Sequence, residues 1–139
     1  MSTLSSAINA SASALDAQRT RMEVAISNMA NAESTRSADG GPYRRREVVL
    51  ESQSFANNFD GKAPATGVRV AAVLEDQNAF ERRYEPTHPD AVDGFVEVPN
   101  VSMPEEMVDM LGAARAYQAN LTAIGLIRDT IQRALDLAK

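Results

Sequence analysis

Apolar residues recur every seven positions at both ends of this 139-residue chain, while all six prolines fall between Pro42 and Pro104. Five of the seven glycines lie between Gly40 and Gly94. Strong helix breakers therefore crowd the middle and spare the ends. Near the N-terminus, Ile8, Leu15, Met22 and Met29 form one heptad series, and Leu4, Ser11, Gln18, Ala25 and Ala32 its diluted partner. That spacing predicts one helix over about Leu4 to Asn31. At about 1.5 Å per residue it spans roughly 40 Å, more than a compact domain of this size needs.

The C-terminal third repeats the plan. Met110, Tyr117, Ile124 and Ile131 form one series; Met107, Ala114, Leu121, Arg128 and Leu135 form a second, offset by three. Ser102 with Glu105 is a capping-box start, and Pro104 falls in the first turn, where a missing N–H costs little. Glu105, Glu106 and Asp109 suit the positive end of the dipole.

The middle reads as strands and loops. Val48 to Leu50, the alternating Val68, Val70, Ala72 and Leu74, and the stretches Phe80–Tyr84 and Gly94–Val98 are strand candidates, the last two closing a hairpin through Pro86, Pro89 and Asp93-Gly94. Ser52–Thr66 lacks periodicity and reads as a mobile loop. The expected fold is α+β. Long terminal helices (1–35 and 101–139) pack as an antiparallel-type coiled-coil pair beside a β-rich middle domain (36–100). Ile26, Leu111 and Ile127 lie off the two seams, a surplus that argues for partner chains; the alternative is a helical hairpin closed on its own middle domain.

Composition narrows the functions. Each of the three segments is mildly acidic within a net charge of −5, which leaves no basic platform for nucleic acid. There is no cysteine, so disulfides and thiolate chemistry are excluded. No window reaches the roughly 18 apolar residues of a membrane span, and Met1–Asp16 lacks a signal-peptide apolar region. His88, the single histidine, sits near Asp90 and Asp93, but the spacing of a calcium loop is missing. Arg44-Arg45-Arg46 is followed at once by Glu47, which favours a solvated strand or a protein-facing salt-bridge site over phosphate binding. No catalytic set and no cofactor site emerges.

Two stretches are more specific. Ser27–Thr35 (SNMANAEST), through Asn28, Ala30, Asn31 and Thr35, resembles the N-terminal signature of the bacterial flagellar axial proteins of rod and hook. Arg115–Asn120 (RAYQAN), through Tyr117, Gln118, Ala119 and Asn120, resembles their C-terminal helix signature. Gly41–Arg44 (GPYR), Tyr84–Asp90 (YEPTHPD) and Val98–Val101 (VPNV) are similar to proximal rod members. Ser27 departs from the Ala or Asn often found in relatives.

The resemblance implies a structural, non-enzymatic subunit of the flagellar basal-body rod, the periplasm-spanning drive shaft that transmits torque. It implies export through the flagellar type III apparatus without a cleaved signal peptide. Other copies, other rod subunits and an adaptor subunit would be its partners, with no small-molecule substrate. The terminal helices would form a tube around the export channel, with packing by Leu4, Ile8, Leu15, Met22, Ile26, Met29, Met107, Met110, Leu111, Tyr117, Leu121, Ile124, Ile127, Ile131 and Leu135. Asn28 and Asn31 are expected to fix the exit of the first helix or to bond a neighbouring chain. Two other readings stay open: a cytoplasmic coiled-coil adaptor, and a small enzyme using the loop from Pro86 to Gly94.

Overall fold

A computed structural model describes residues 2–37, 40–54 and 66–137. The order is α1 (Ser2–Ala30), β1 (Arg46–Ser54), β2 (Thr66–Glu75), β3 (Glu81–Tyr84), β4 (Phe95–Val98) and α2 (Met103–Leu137). Two helices thus enclose, in sequence, a middle made of two small antiparallel sheets. Both helices span the heptad stretches. Ser102 stands at the N-cap of α2, its carbonyl accepting from the Glu106 N–H at 3.0 Å.

β1 and β2 pair from Arg46 opposite Glu75 to Ser54 opposite Thr66, with a register shift between Val49 and Leu50. Ser52–Ser54 and Thr66, expected in a loop, are therefore strand residues. Backbone pairing carries the ladder past the last apolar alternation, because the hydrogen bonds do not require it. The rest of that expected loop, 55–65, lies outside the described residues. β3 and β4 pair from Glu81 opposite Val98 to Tyr84 opposite Phe95. Between them the chain turns at Asp93-Gly94, with φ of 52° and 80° and a Phe95 N–H to Val92 carbonyl bond of 3.0 Å. Positive φ at both central residues is the type I′ turn that matches strand twist, and Asp-Gly is a pair that adopts it.

α1 is the organising element. It packs against α2 and also lies against β1 and β2, whereas α2 meets α1 and no other described element. The Ser13 hydroxyl couples α1 to the sheet: it donates to the Ala10 carbonyl at 2.7 Å and accepts from the Val68 N–H at 3.1 Å. The β3–β4 hairpin touches none of the other described elements. Among the described residues the buried apolar core is thin: Ala17, Ala25, Tyr43, Val96, Val98 and Ala113. Alanines on both helices let their backbones approach closely.

Candidate functional site: a polar junction and an uncovered helix face

Where α1 ends and α2 begins, the chain buries a polar cluster. Asn28 is 0% exposed and Glu106 only 2%. Asn28 Nδ2 donates to Glu106 Oε2 at 2.9 Å and to the Arg46 carbonyl at 2.9 Å. Its Oδ1 accepts from the Tyr43 hydroxyl at 2.9 Å and from the Arg46 N–H at 3.0 Å. Two donors and two lone pairs are all used, the full capacity of a carboxamide. The amide grips both backbone groups of Arg46 on the outer edge of β1, as the peptide of a neighbouring strand would. A flipped amide would set its oxygen against the Glu106 carboxylate, so the network dictates the orientation.

Glu106 is held from its other side by Arg45, whose Nε donates to Oε1 at 2.5 Å. Arg45 also reaches Glu47, and its own N–H donates to Asn100 Oδ1 at 3.0 Å. Burial alone would lower the Arg45 guanidinium; its hydrogen bonds to Glu106 and Glu47 outweigh that and hold it above its ordinary value. A buried carboxylate is tolerable here because a guanidinium and an amide both engage it. Asp109, one turn further on, lies 3.7 Å from Arg21 and 3.7 Å from Arg45. A cavity of about 250 Å3 opens alongside, lined by Arg21, Ala25, Val48 and Asp109 among others.

Asn31 acts more locally. Its Nδ2 donates to the Ser27 carbonyl at 2.8 Å, and its Oδ1 accepts from the Ser34 hydroxyl at 3.3 Å. Both asparagines therefore bond within their own chain: Asn31 closes the helix exit, and Asn28 ties three segments together. Thr35 reaches further, its hydroxyl donating to Asp90 Oδ2 at 2.8 Å, while Arg36 pairs with the same carboxylate. Asp90 is thereby engaged, and His88 Nδ1 accepts from the Asp90 N–H at 3.1 Å. Among the described residues no three His, Asp or Glu side chains converge as metal ligands. The three consecutive arginines divide their work. Arg44 donates to the carbonyls of Asp76 and Asn78 and covers the Phe80 ring at 4.3 Å, Arg45 serves the junction, and Arg46 pairs with Glu75 at 3.4 Å.

The packing residues separate into two groups. Ile8, Leu15, Met22 and Met29 on α1, and Met110, Tyr117, Ile124, Ile127 and Ile131 on α2, are half-buried. Leu4, Ile26, Met107, Leu111, Leu121 and Leu135 are exposed. The covered side of α2 pairs the Met110 series with Glu106, Ala113, Asn120 and Ile127, not with the Met107 series. These two flanks lie on opposite sides of one stripe, and the chain closes on the one where Ala113, 0% exposed, admits the other helix. Of the signature residues, Asn120 bonds back to the Ala116 carbonyl at 2.8 Å, and Ala30, Gln118 and Ala119 are exposed. Tyr43 and Asn100 lie in the GPYR and VPNV stretches, Arg45 in the arginine run and Glu106 among the first-turn acids, but nothing in the sequence brings them together at Asn28. The signal for Glu106 was its place seven residues before Ala113, an acid on the covered stripe.

Comparison with known proteins agrees with this architecture. The family model for the flagellar basal body rod FlgEFG protein C-terminal region matches residues 92–137, which hold β4 and α2. The flagellar basal-body rod protein FlgC of Borreliella burgdorferi is 40% identical, with 95% of each chain covered. FlgC of Bacillus subtilis is 40% identical over 95% of this chain and 96% of its own, and FlgC of Salmonella typhimurium 39% identical over 91% and 92%. Identity at that level over nearly the whole length means that the chain belongs to the FlgC family of flagellar basal-body rod proteins.

Proposed function

We propose that this chain is a structural subunit of the flagellar basal-body rod and works by packing, not by catalysis. The observation that carries the reading is the uncovered face of α2. Met107, Leu111, Leu121 and Leu135 recur along one stripe of a helix that meets only α1 among the described helices and strands, and all four are exposed. Covering each of them is worth on the order of 1 kcal/mol, which favours axially overlapping neighbours. Heterologous contacts that do not close into a ring build helical shafts.

In this reading α1 and α2 are an antiparallel coiled-coil pair. Asn28 meets Glu106 and Arg21 meets Asp109, so positions descend along α1 as they ascend along α2. The pair forms the inner, helical domain around the export channel, and the β-rich middle packs outside. The buried junction pins one helix against the other, so torque cannot slide them. The neighbours are other copies, other rod subunits and an adaptor. The chain reaches the periplasm-spanning rod through the flagellar export apparatus without a cleaved leader.

The test is Leu121→Asp in cells lacking their own copy of the gene. Leu121 is exposed, so the purified variant should unfold at the parental temperature, while rods fail to incorporate it and cells do not swim. Motile cells with Leu121→Asp in their rods would overturn the reading.

A further inference from the structure

The β3–β4 hairpin has an unusual attachment. It touches no other described helix or strand; Val96 and Val98 on β4 are buried, and polar contacts anchor it at two places. One is the pair of chain crossings beside the start of β1. There Arg44 holds the carbonyls of Asp76 and Asn78 and stacks on Phe80, and Asn100 Oδ1 accepts from the Arg45 N–H. The other is a single carboxylate. Asp90, in the segment joining β3 to β4, accepts from the Thr35 hydroxyl and pairs with Arg36, both on the chain leaving α1. Beside the second anchor lies an open cleft of about 430 Å3, lined by Pro42 and Arg36 from the segment after α1 and by Val92, Phe95 and Arg82 from the hairpin.

We infer that Thr35, Arg36 and Asp90 form a catch that holds the hairpin against the exit of α1, and that releasing it lets the hairpin turn as a unit about residues 76–80 and 99–102, opening the cleft. The hairpin is able to move as one piece. Its ladder, the Asp93-Gly94 turn and the edge-to-face contact of Tyr84 with Phe95 at 5.3 Å are all internal to it. The crossings at 76–80 and 99–102 have the form of a hinge: short connecting segments that absorb rotation without breaking an element. The catch is polar, so its own release exposes little apolar area; what the turn uncovers is Val96, buried on β4 and lining the cleft. His88 sets its geometry, because its Nδ1 accepts from the Asp90 N–H and orients the loop that presents the carboxylate.

The cysteine-free sequence allows a direct test on the full chain. Spin labels are placed at Ala12→Cys on α1 and Glu81→Cys on β3, both exposed, and the distance between them is measured by double electron–electron resonance. The parent should give one narrow distribution. Asp90→Ala should shift or broaden it, and Thr35→Val, which removes one of the two grips, should do so to a lesser degree. Amide exchange is followed in parallel, and the β3–β4 ladder should keep its parental protection in both variants. An Asp90→Ala distribution that coincides with the parent's would overturn the catch. So would loss of protection in β3–β4, because the hairpin would then be melting and not turning.

Discussion

Asn28 and Glu106, 78 positions apart in sequence, share a 2.9 Å hydrogen bond closed off from water. One residue lies in the last turns of α1 and the other in the first turn of α2, so this bond records the register in which the two helices meet. A hydrophobic stripe of Ala, Met and Ile tolerates sliding by a turn. A buried carboxylate that needs one particular amide does not, which is the best-attested use of buried polar pairs.

Replacing Asn28 therefore discriminates between a cap and a pin. Asn28→Ala strands the Glu106 oxygen and both Arg46 backbone groups, and should cost about 2–4 kcal/mol in denaturant unfolding. A helix cap alone would cost only about 1 kcal/mol. Asn28→Asp should be worse than Asn28→Ala near neutral pH, because it sets two buried carboxylates side by side. The gap between them should narrow in acid, where protonation restores a donor.

Ala113 tests the close approach of the helices. It has no exposed surface and lies on the covered stripe between Met110 and Tyr117. Ala113→Leu should destabilise the chain by about 1–3 kcal/mol through overpacking. Ala119→Leu, on the exposed signature segment, should change thermal stability by less than about 0.5 kcal/mol.

Gly94 carries a backbone demand. Its φ is +80°, and an added Cβ would lie 3.0 Å from Tyr84 Cε2. The Tyr84 ring is exposed and can give way, so the strain of the left-handed backbone dominates. Gly94→Ala should cost about 1–2 kcal/mol. The loss should show as faster amide exchange in β3–β4, with α1 and α2 unchanged.

Asp90 predicts an acid limit. Its hydrogen bond from Thr35, then the hydrogen bond and charge of Arg36 and the nearby His88, hold its carboxyl below the ordinary 3.8. Because the folded value is depressed, the stabilisation is fully present above the unfolded value and is lost as pH falls through the folded one. Arg82, Asp93 and Glu97 line the same cleft and add to the local charge. The parent should therefore lose stability below about pH 4 more steeply than Asp90→Asn, as read from unfolding midpoints across an acid titration.

Much of this architecture was legible because period and punctuation agreed. Heptads at Ile8–Met29 and Met110–Ile131, with prolines and glycines between them, leave few alternatives to two helices around a β-rich middle. Spacing did not reveal which flank of α2 the chain would cover. Met107, Leu121 and Leu135 look like the better seam, yet the covered flank is the opposite one, with Glu106 and Ala113, because helix approach depends on small side chains as much as on apolar ones. The junction was hidden for a related reason. Asn28 was conspicuous as a signature residue, but its partners Tyr43, Arg45 and Glu106 are brought to it only by the fold. The contact of Thr35 with Asp90 likewise joins two motifs that are 55 residues apart.

The most direct measurement is a density map of the intact basal body at side-chain detail, with this chain in its rod. The account predicts that Met107, Leu111, Leu121 and Leu135 are buried against a second chain, while Asn28 still bonds Glu106 of its own. A map in which those four side chains face solvent, or in which Asn28 pairs with Glu106 of another copy, would contradict it.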